Sequence, residues 1–383
     1  MTVTADCQIT GVRVRTLSAP LDEPVVMACG QLGARTTVLV EVEAGSGLVG
    51  VGESWANHPH WAAAERQATL ADGVAPLLLG EDHRRIAALH DKVVSALWGP
   101  VRQWGGEAIL LQALSGVDIA LWDLLGRTLG VGVAALIGGR GRDAVAVYAS
   151  GLGPSDVATA ASRCVDEGFA AVKVRVGFGA DVDAANLRAA REAIGDARSL
   201  YADANRAWRR AEARQMTPAL HEAGVAWVEE PLADASCAEL EAFAAEAGLT
   251  VALGENLAGS PAFLPYLASP GPFLLQPDIT KVGGFGHAAA VCQLASAAGV
   301  PVAPHFYGGA VGWAATLQLA SACPAVRAVE LDVRPNPLRD AVLADPPRVE
   351  SGAARIPSGP GLGVTLDADR LEDHTIECRG RKL

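Results

Sequence analysis

Apolar and polar positions alternate at the start of the chain and then fall into a helical period. Ile9, Val12, Val14 and Leu17 mark one alternating run, residues 36–42 (TTVLVEV) are β-branched and apolar, and residues 45–52 are rich in glycine. Together they predict strands of a small antiparallel sheet joined by a turn. Residues 62–79, 84–97 and 108–129 carry helical periodicity, clearest at Ile109, Leu114, Val117, Leu121 and Leu125. Strands followed by helices predict an α+β domain over residues 1–141. From Ala144 the pattern changes to short apolar runs alternating with helical stretches. Strands are predicted at 145–149, 171–176, 199–203, 227–229, 251–253, 274–276, 301–303 and 326–330, the eight that a closed βα barrel needs. The predicted class is therefore α/β, a (β/α)8-type TIM barrel over residues 142–345. Residues 346–383, strand-like at 363–366, are predicted to fold back on the first domain.

Composition bounds this picture without altering it. A chain of 383 residues, half of them apolar, has room for a barrel of about 250 residues and a second domain. The net charge of −12 argues against nucleic acid or an anionic membrane as a partner. No run of 18 or more apolar residues predicts a membrane span. Residues 1–10 lack the basic-then-apolar pattern of an exported chain. The seven cysteines are scattered, without CxxC or Cys/His zinc spacing, and read as reduced thiols of a cytoplasmic protein.

Candidate chemistry enters through phase. Arg175, Asp203, Glu229, Glu255, Asp278, His305 and Glu330 follow one another at intervals of 28, 26, 26, 23, 27 and 25 residues. One strand, one helix and two short loops make up about that period. Side chains recurring once per βα unit sit at the same end of each strand, and in a βα barrel that end carries the active site. Asp203, Glu229 and Glu255, on consecutive strand ends, would repel one another without a cation. All-oxygen ligation favours Mg2+. A surface acid or helix cap explains any one of them, but not three in phase on apolar strands. Asp278 and His305, on neighbouring strands, are predicted to pair, the carboxylate holding one imidazole nitrogen and leaving the other as a base. Lys173 and Arg175 point to one side of their strand. With Val172, Val174 and Val176 facing the helices, both cations face the barrel, where they require an anion. Residues 55–61 (WANHPHW) form an aromatic loop whose Asn57, His58 and Trp61 are candidate substrate contacts, with surface packing an equal alternative.

In this order and spacing the residues resemble the enolase superfamily, in its mandelate racemase-like subgroup. The resemblance runs through Lys173-Val174-Arg175, Asp203-Ala204-Asn205, Glu229-Glu230-Pro231, Gly254-Glu255-Asn256, Asp278 before Lys281-Val282-Gly283-Gly284, His305 and Glu330, and through residues 118–138 ahead of the barrel. It implies an enolase-like modified barrel under an N-terminal capping domain, with segments 17–31 and 53–61 closing over a small carboxylate substrate. It also implies a Mg2+ site at Asp203, Glu229 and Glu255, and removal of the proton α to the carboxylate. The resulting enediolate would be stabilised by Lys173 and by a protonated Glu330. Asn205 and Lys281 become candidate substrate contacts, and a homo-oligomer is expected. Muconate cycloisomerase-like relatives carry a lysine where this chain has Asp278. Family members often carry a second lysine where this chain has Arg175, a poor base and a good planar clamp. One base suits dehydration of an aldonate or aldarate better than two-base racemisation. Epimerisation and lactone cycloisomerisation stay open on the same intermediate. A Schiff-base lyase acting through Lys173 leaves the three carboxylates without purpose, and a non-catalytic binding protein leaves the whole ring without one.

Overall fold

The computed structural model describes residues 4–139 and 141–383, so part of the segment 1–10 read above lies outside the described residues. Strands β1 (Ile9–Met27) and β2 (Gly30–Ala44) form one long antiparallel hairpin, and β3 (Val49–Trp55) pairs with β2. The segment 17–31, expected as a loop, is therefore the tip of this hairpin. Its register shifts between Pro20 and Val25, so a bulge absorbs the two prolines and the acids between them. Gly50 and Gly52 do not belong to the turn. They lie in β3, where a Cβ would come within 2.1 Å of Ala120 O and 1.9 Å of Gly116 O. Their lack of a side chain lets helix Glu107–Leu129 lie directly on the sheet. By length and composition that helix is able to cross a membrane, yet 72% of its apolar window is buried in this fold.

The barrel strands are β4 (Ala144–Leu152), β5 (Ala171–Arg175), β6 (Ser199–Asp203), β7 (Val225–Glu229), β8 (Thr250–Leu253), β9 (Phe273–Leu275) and β10 (Val329–Asp332). Neighbours from β4 to β9 are parallel, and β10 closes back on β4. Between β9 and β10 the predicted strand at 301–303 is reduced to Val302, bridged to Leu275 on one side and Val326 on the other. Directly after β10 the one-turn helix Pro337–Asp340 stands where a regular barrel has its eighth helix. Val172, Val174 and Val176 join the core beneath the outer helices, while Tyr148, Trp227, Ala252 and Ala303 fill the barrel interior. Tyr201 stacks on Trp227 at 4.2 Å and closes the floor under the site.

The last segment divides. Strands β11 (Val349–Glu350) and β12 (Ala353–Arg355) form a small hairpin, and β12 pairs antiparallel with β4. The strand expected at 363–366 is absent, and only Leu366 bridges, to Leu343. Gly361 and Gly363 hold φ of +69° and +75°, which breaks extended backbone. Strand β13 (Thr375–Lys382) pairs with β1 and completes the capping sheet in the order β13-β1-β2-β3.

Candidate active site

Strand alternation puts Lys173 and Arg175 inside the barrel, and both are buried. Lys173 Nζ lies 2.6 Å from Glu229 Oε2, 2.7 Å from Glu330 Oε1 and 3.7 Å from Asp203 Oδ2. Burial alone would lower the lysine's pKa, but Glu229 and Glu330 hold it well above its usual value. Gln276 donates to the same Glu229 oxygen at 2.7 Å. Glu229 Oε1, by contrast, is buried without a hydrogen-bond partner. Burial, and then repulsion from Asp203, raise the Glu229 carboxyl well above the ordinary range; burial raises Asp203 against the pull of Lys173. A buried oxygen without a donor, beside carboxyls that resist ionising together, is what a divalent cation would relieve. Asp203, Glu229 and Glu255 thus fit Mg2+. Among the described residues their oxygens do not all come within 4.8 Å of one another, because Lys173 and Gln276 draw Glu229 while His305 draws Glu255.

Asp278 and His305 meet. Asp278 Oδ2 lies 2.7 Å from His305 Nδ1, and its Oδ1 accepts from the Thr280 amide and hydroxyl at 2.7 and 2.6 Å. The other ring nitrogen, Nε2, lies 2.7 Å from Glu255 Oε2. Burial opposes charge on this imidazole, but Glu255 and Glu330, with hydrogen bonds to Asp278 and Glu255, push its pKa well above the usual value. Reciprocally, burial works against the Glu255 carboxylate, yet His305 and Lys281 hold it well below the carboxylate range.

Arg175 lines the same cavity from the end of β5. It donates to Val26 O at 3.2 Å and lies 5.3 Å from the centre of the Tyr307 ring. Burial would lower its pKa, but Tyr307 and Asp332 raise it further above its already high value. Glu330 Oε1 lies 2.7 Å from Lys173 Nζ, and its second oxygen stands 3.5 Å from Tyr148 Oη.

A cavity of about 280 Å³ opens over these groups, lined by Arg175, Asp203, Glu255, His305 and Glu330, with Asn205, Lys281 and His58 on its wall. Asn57 does not join them: its amide accepts from the Thr36 backbone at 2.9 Å and donates to Tyr307 O at 2.5 Å, a bracing role. Trp61 is 63% exposed on the surface against His60, and does not line the cavity. Sequence reasoning missed Gln276, Tyr148, Glu230, Arg206 and Trp55. Glu230 follows Glu229 directly but has φ of +38°, which turns it to bind Arg206 at 2.8 Å and Asn256 at 3.0 Å. A separate trio, Cys7, Asp82 and His83, gathers within 4.8 Å away from this cavity. Both His83 nitrogens are engaged, by Cys7 O and Thr128 Oγ1, and Asp82 pairs with Arg84.

Comparison with known proteins places the whole chain. The enolase C-terminal domain-like family model matches residues 156–370, and that of the mandelate racemase/muconate lactonizing enzyme N-terminal domain matches residues 9–138. The chain is 35% identical to the D-galactarolactone cycloisomerase of Agrobacterium fabrum, over 96% of this chain and 98% of that protein. It is 29% identical to the arabinonate dehydratase of Saccharolobus solfataricus, over 88% and 90% respectively. A solved racemase from Streptomyces coelicolor A3(2) with bound magnesium superposes with a TM-score of 0.85 at 28% identity, over 96% of this chain and 100% of that one.

Proposed function

The chain belongs to the mandelate racemase/muconate lactonizing enzyme family of the enolase superfamily, and we propose that it is a sugar-acid dehydratase. It would remove water from an aldonate or aldarate to give the 2-keto-3-deoxy acid. The observation that carries this reading is a cavity with one base rather than two. His305 stands braced by Asp278 on one side. On the other is Arg175, whose pKa is raised still further and which accepts no proton near neutral pH. Two-base racemisation lacks its second acceptor.

Mg2+, held by Asp203, Glu229 and Glu255, would supply Lewis-acid polarisation of the substrate carboxylate. With Glu255 ligating the metal instead of contacting His305, the imidazole would lose the charge that chiefly raises its pKa, and its Nε2, the nitrogen that Asp278 does not hold, takes the α-proton. Lys173 faces the negative charge that then grows on the carboxylate oxygens, and Glu330 keeps its ammonium aimed there. The C–O bond at the β-carbon breaks, the departing hydroxide receives the proton from His305, and the enol that remains becomes the keto acid. Arg175 clamps a substrate oxygen without exchanging protons.

A second reading, lactone cycloisomerisation, shares every step up to the leaving group, which becomes a ring oxygen. The whole-length similarity to a galactarolactone cycloisomerase favours it. Incubating the Mg2+-loaded enzyme in D2O with aldonates, aldarates and their lactones separates the two. Keto acid formed from open-chain acids with loss of water supports dehydration. Turnover confined to lactones, or recovery of a deuterated epimer, rejects it.

A further inference from the structure

Lys281 follows Asp278 by three residues and faces the same cavity, yet nothing in the proton transfer uses it. It is only 4% exposed. Its Nζ donates to Asn256 Oδ1 at 2.9 Å and lies 4.6 Å from the centre of the Trp55 ring. The neighbouring carboxylates are engaged elsewhere, Glu230 by Arg206 and Asn256, Glu255 by His305 and Asn256. Among the described residues no carboxylate pairs with Lys281. An ammonium carries three donors, and here one is used. Beside it, Trp55 Nε1 is also buried without an acceptor. The counter-charge that Lys281 feels, Glu255, is shared with His305, which leaves a buried cation incompletely compensated at some cost, and contact with an aromatic face offsets that cost only partly.

We propose that Lys281 and Trp55 form a seat for a second anionic group of the substrate, the carboxylate at the far end of a diacid sugar. The enzyme would then act on an aldarate or its monolactone in preference to an aldonate. This rests on the reading of the reacting end given above, but the seat binds whether or not turnover follows. A loop of the barrel and a strand of the capping domain build it together, so the diacid is recognised only when the two meet.

The experiment compares aldarate and aldonate pairs of the same configuration, galacto and gluco, by calorimetric binding to the Mg2+-loaded enzyme and by steady-state kinetics. The wild type should bind the diacid at least about tenfold more tightly. Lys281→Met should bring the pair within about threefold by weakening the diacid, raising its KM relative to that of the aldonate, while any change in kcat is the same for both acids. Lys281→Arg, which retains the charge, should keep part of the preference. A preference unchanged in Lys281→Met, no binding of any pair, or a fall in kcat for both acids at constant KM overturns the seat. Selective diacid binding without turnover upholds the seat and rejects the dehydratase reading instead.

Discussion

The His305 imidazole is held by carboxylates at both nitrogens, and only the contact with Asp278 belongs to the role of base proposed for it. Replacing that carboxylate by an amide keeps the shape and loses the charge that orients the ring. Asp278→Asn should therefore lower kcat by about 10²–10⁴-fold, and His305→Asn should also abolish α-proton exchange into D2O. Exchange surviving in His305→Asn would move the base elsewhere. A second expectation concerns Asp203 and Glu229, whose carboxyls burial raises. A group whose folded pKa lies above its unfolded value binds more protons when folded between the two, so the metal-free protein loses stability as pH rises through that window. Mg2+ takes deprotonated oxygens. The thermal shift on adding EDTA to the Mg2+ enzyme should thus be larger near pH 8 than near pH 5.5, and Mg2+ binding should release protons in calorimetry. Metal binding without proton release would contradict the raised carboxyls. The ring members were legible because each recurs at the βα period. Gln276 and Tyr148 were not, because neutral side chains leave no charge signal to follow. Asn57 was misplaced because the backbone groups that claim its amide arrive from residues 36 and 307, a contact sequence spacing does not encode.

Helix Phe285–Ala298 starts without a cap of its own. Its N-cap is Gly284, at φ +82°, and a Cβ there would stand 2.3 Å from Asp118 Oδ1. Asp118, on capping-domain helix Glu107–Leu129, accepts from the Gly286 amide at 3.3 Å and caps the barrel helix from outside. Burial pushes its pKa to about 7 against the lowering effect of the Gly286 and Phe285 amides. The raised value means that stability falls as pH climbs from about 4 to about 7, by on the order of 4 kcal/mol in all. Asp118→Asn, which keeps an acceptor, should unfold at higher urea than wild type near pH 8 and show no advantage near pH 4.5. A deficit near pH 8 that disappears near pH 4.5 would mean instead that the carboxylate is worth more as a charged cap than burial costs it. Elements of this kind mark the limit of what patterning conveys. The short barrel strands β5 to β8, each with an apolar stretch between helical segments, were legible within a residue or two. The hairpin tip at 17–31 was not, since Pro20 and Pro24 signal a turn that pairing across a bulge overrides. Likewise the seventh strand dwindles to Val302 because its neighbours, and not its length, close the ring.

The two domains share both core and caps. One apolar cluster runs from Leu17, Leu39 and Val51 of the capping sheet through the barrel valines to Leu371, so the boundary near residue 141 crosses a continuous interior. Glu53, fully buried on β3, accepts from the Gly309 amide at 2.5 Å and the Gly312 amide at 2.8 Å. It thereby caps helix Ala310–Ala322, which begins five residues after His305. Burial raises the Glu53 carboxyl while these amides oppose the rise. Strand β13 then ties the chain's end to β1, so unfolding the barrel strips the capping sheet of its edge partner. A protein joined in this way should melt as one unit, with a single calorimetric transition rather than one per domain. Glu53→Ala leaves two buried amides without an acceptor and should cost about 1–3 kcal/mol. Because those amides stand at the end of the loop that carries His305, the same change should lower kcat/KM beyond what the loss of stability explains. Two resolved transitions in the wild type, or a destabilised Glu53→Ala enzyme with unchanged kcat/KM, would show that cap and base are independent.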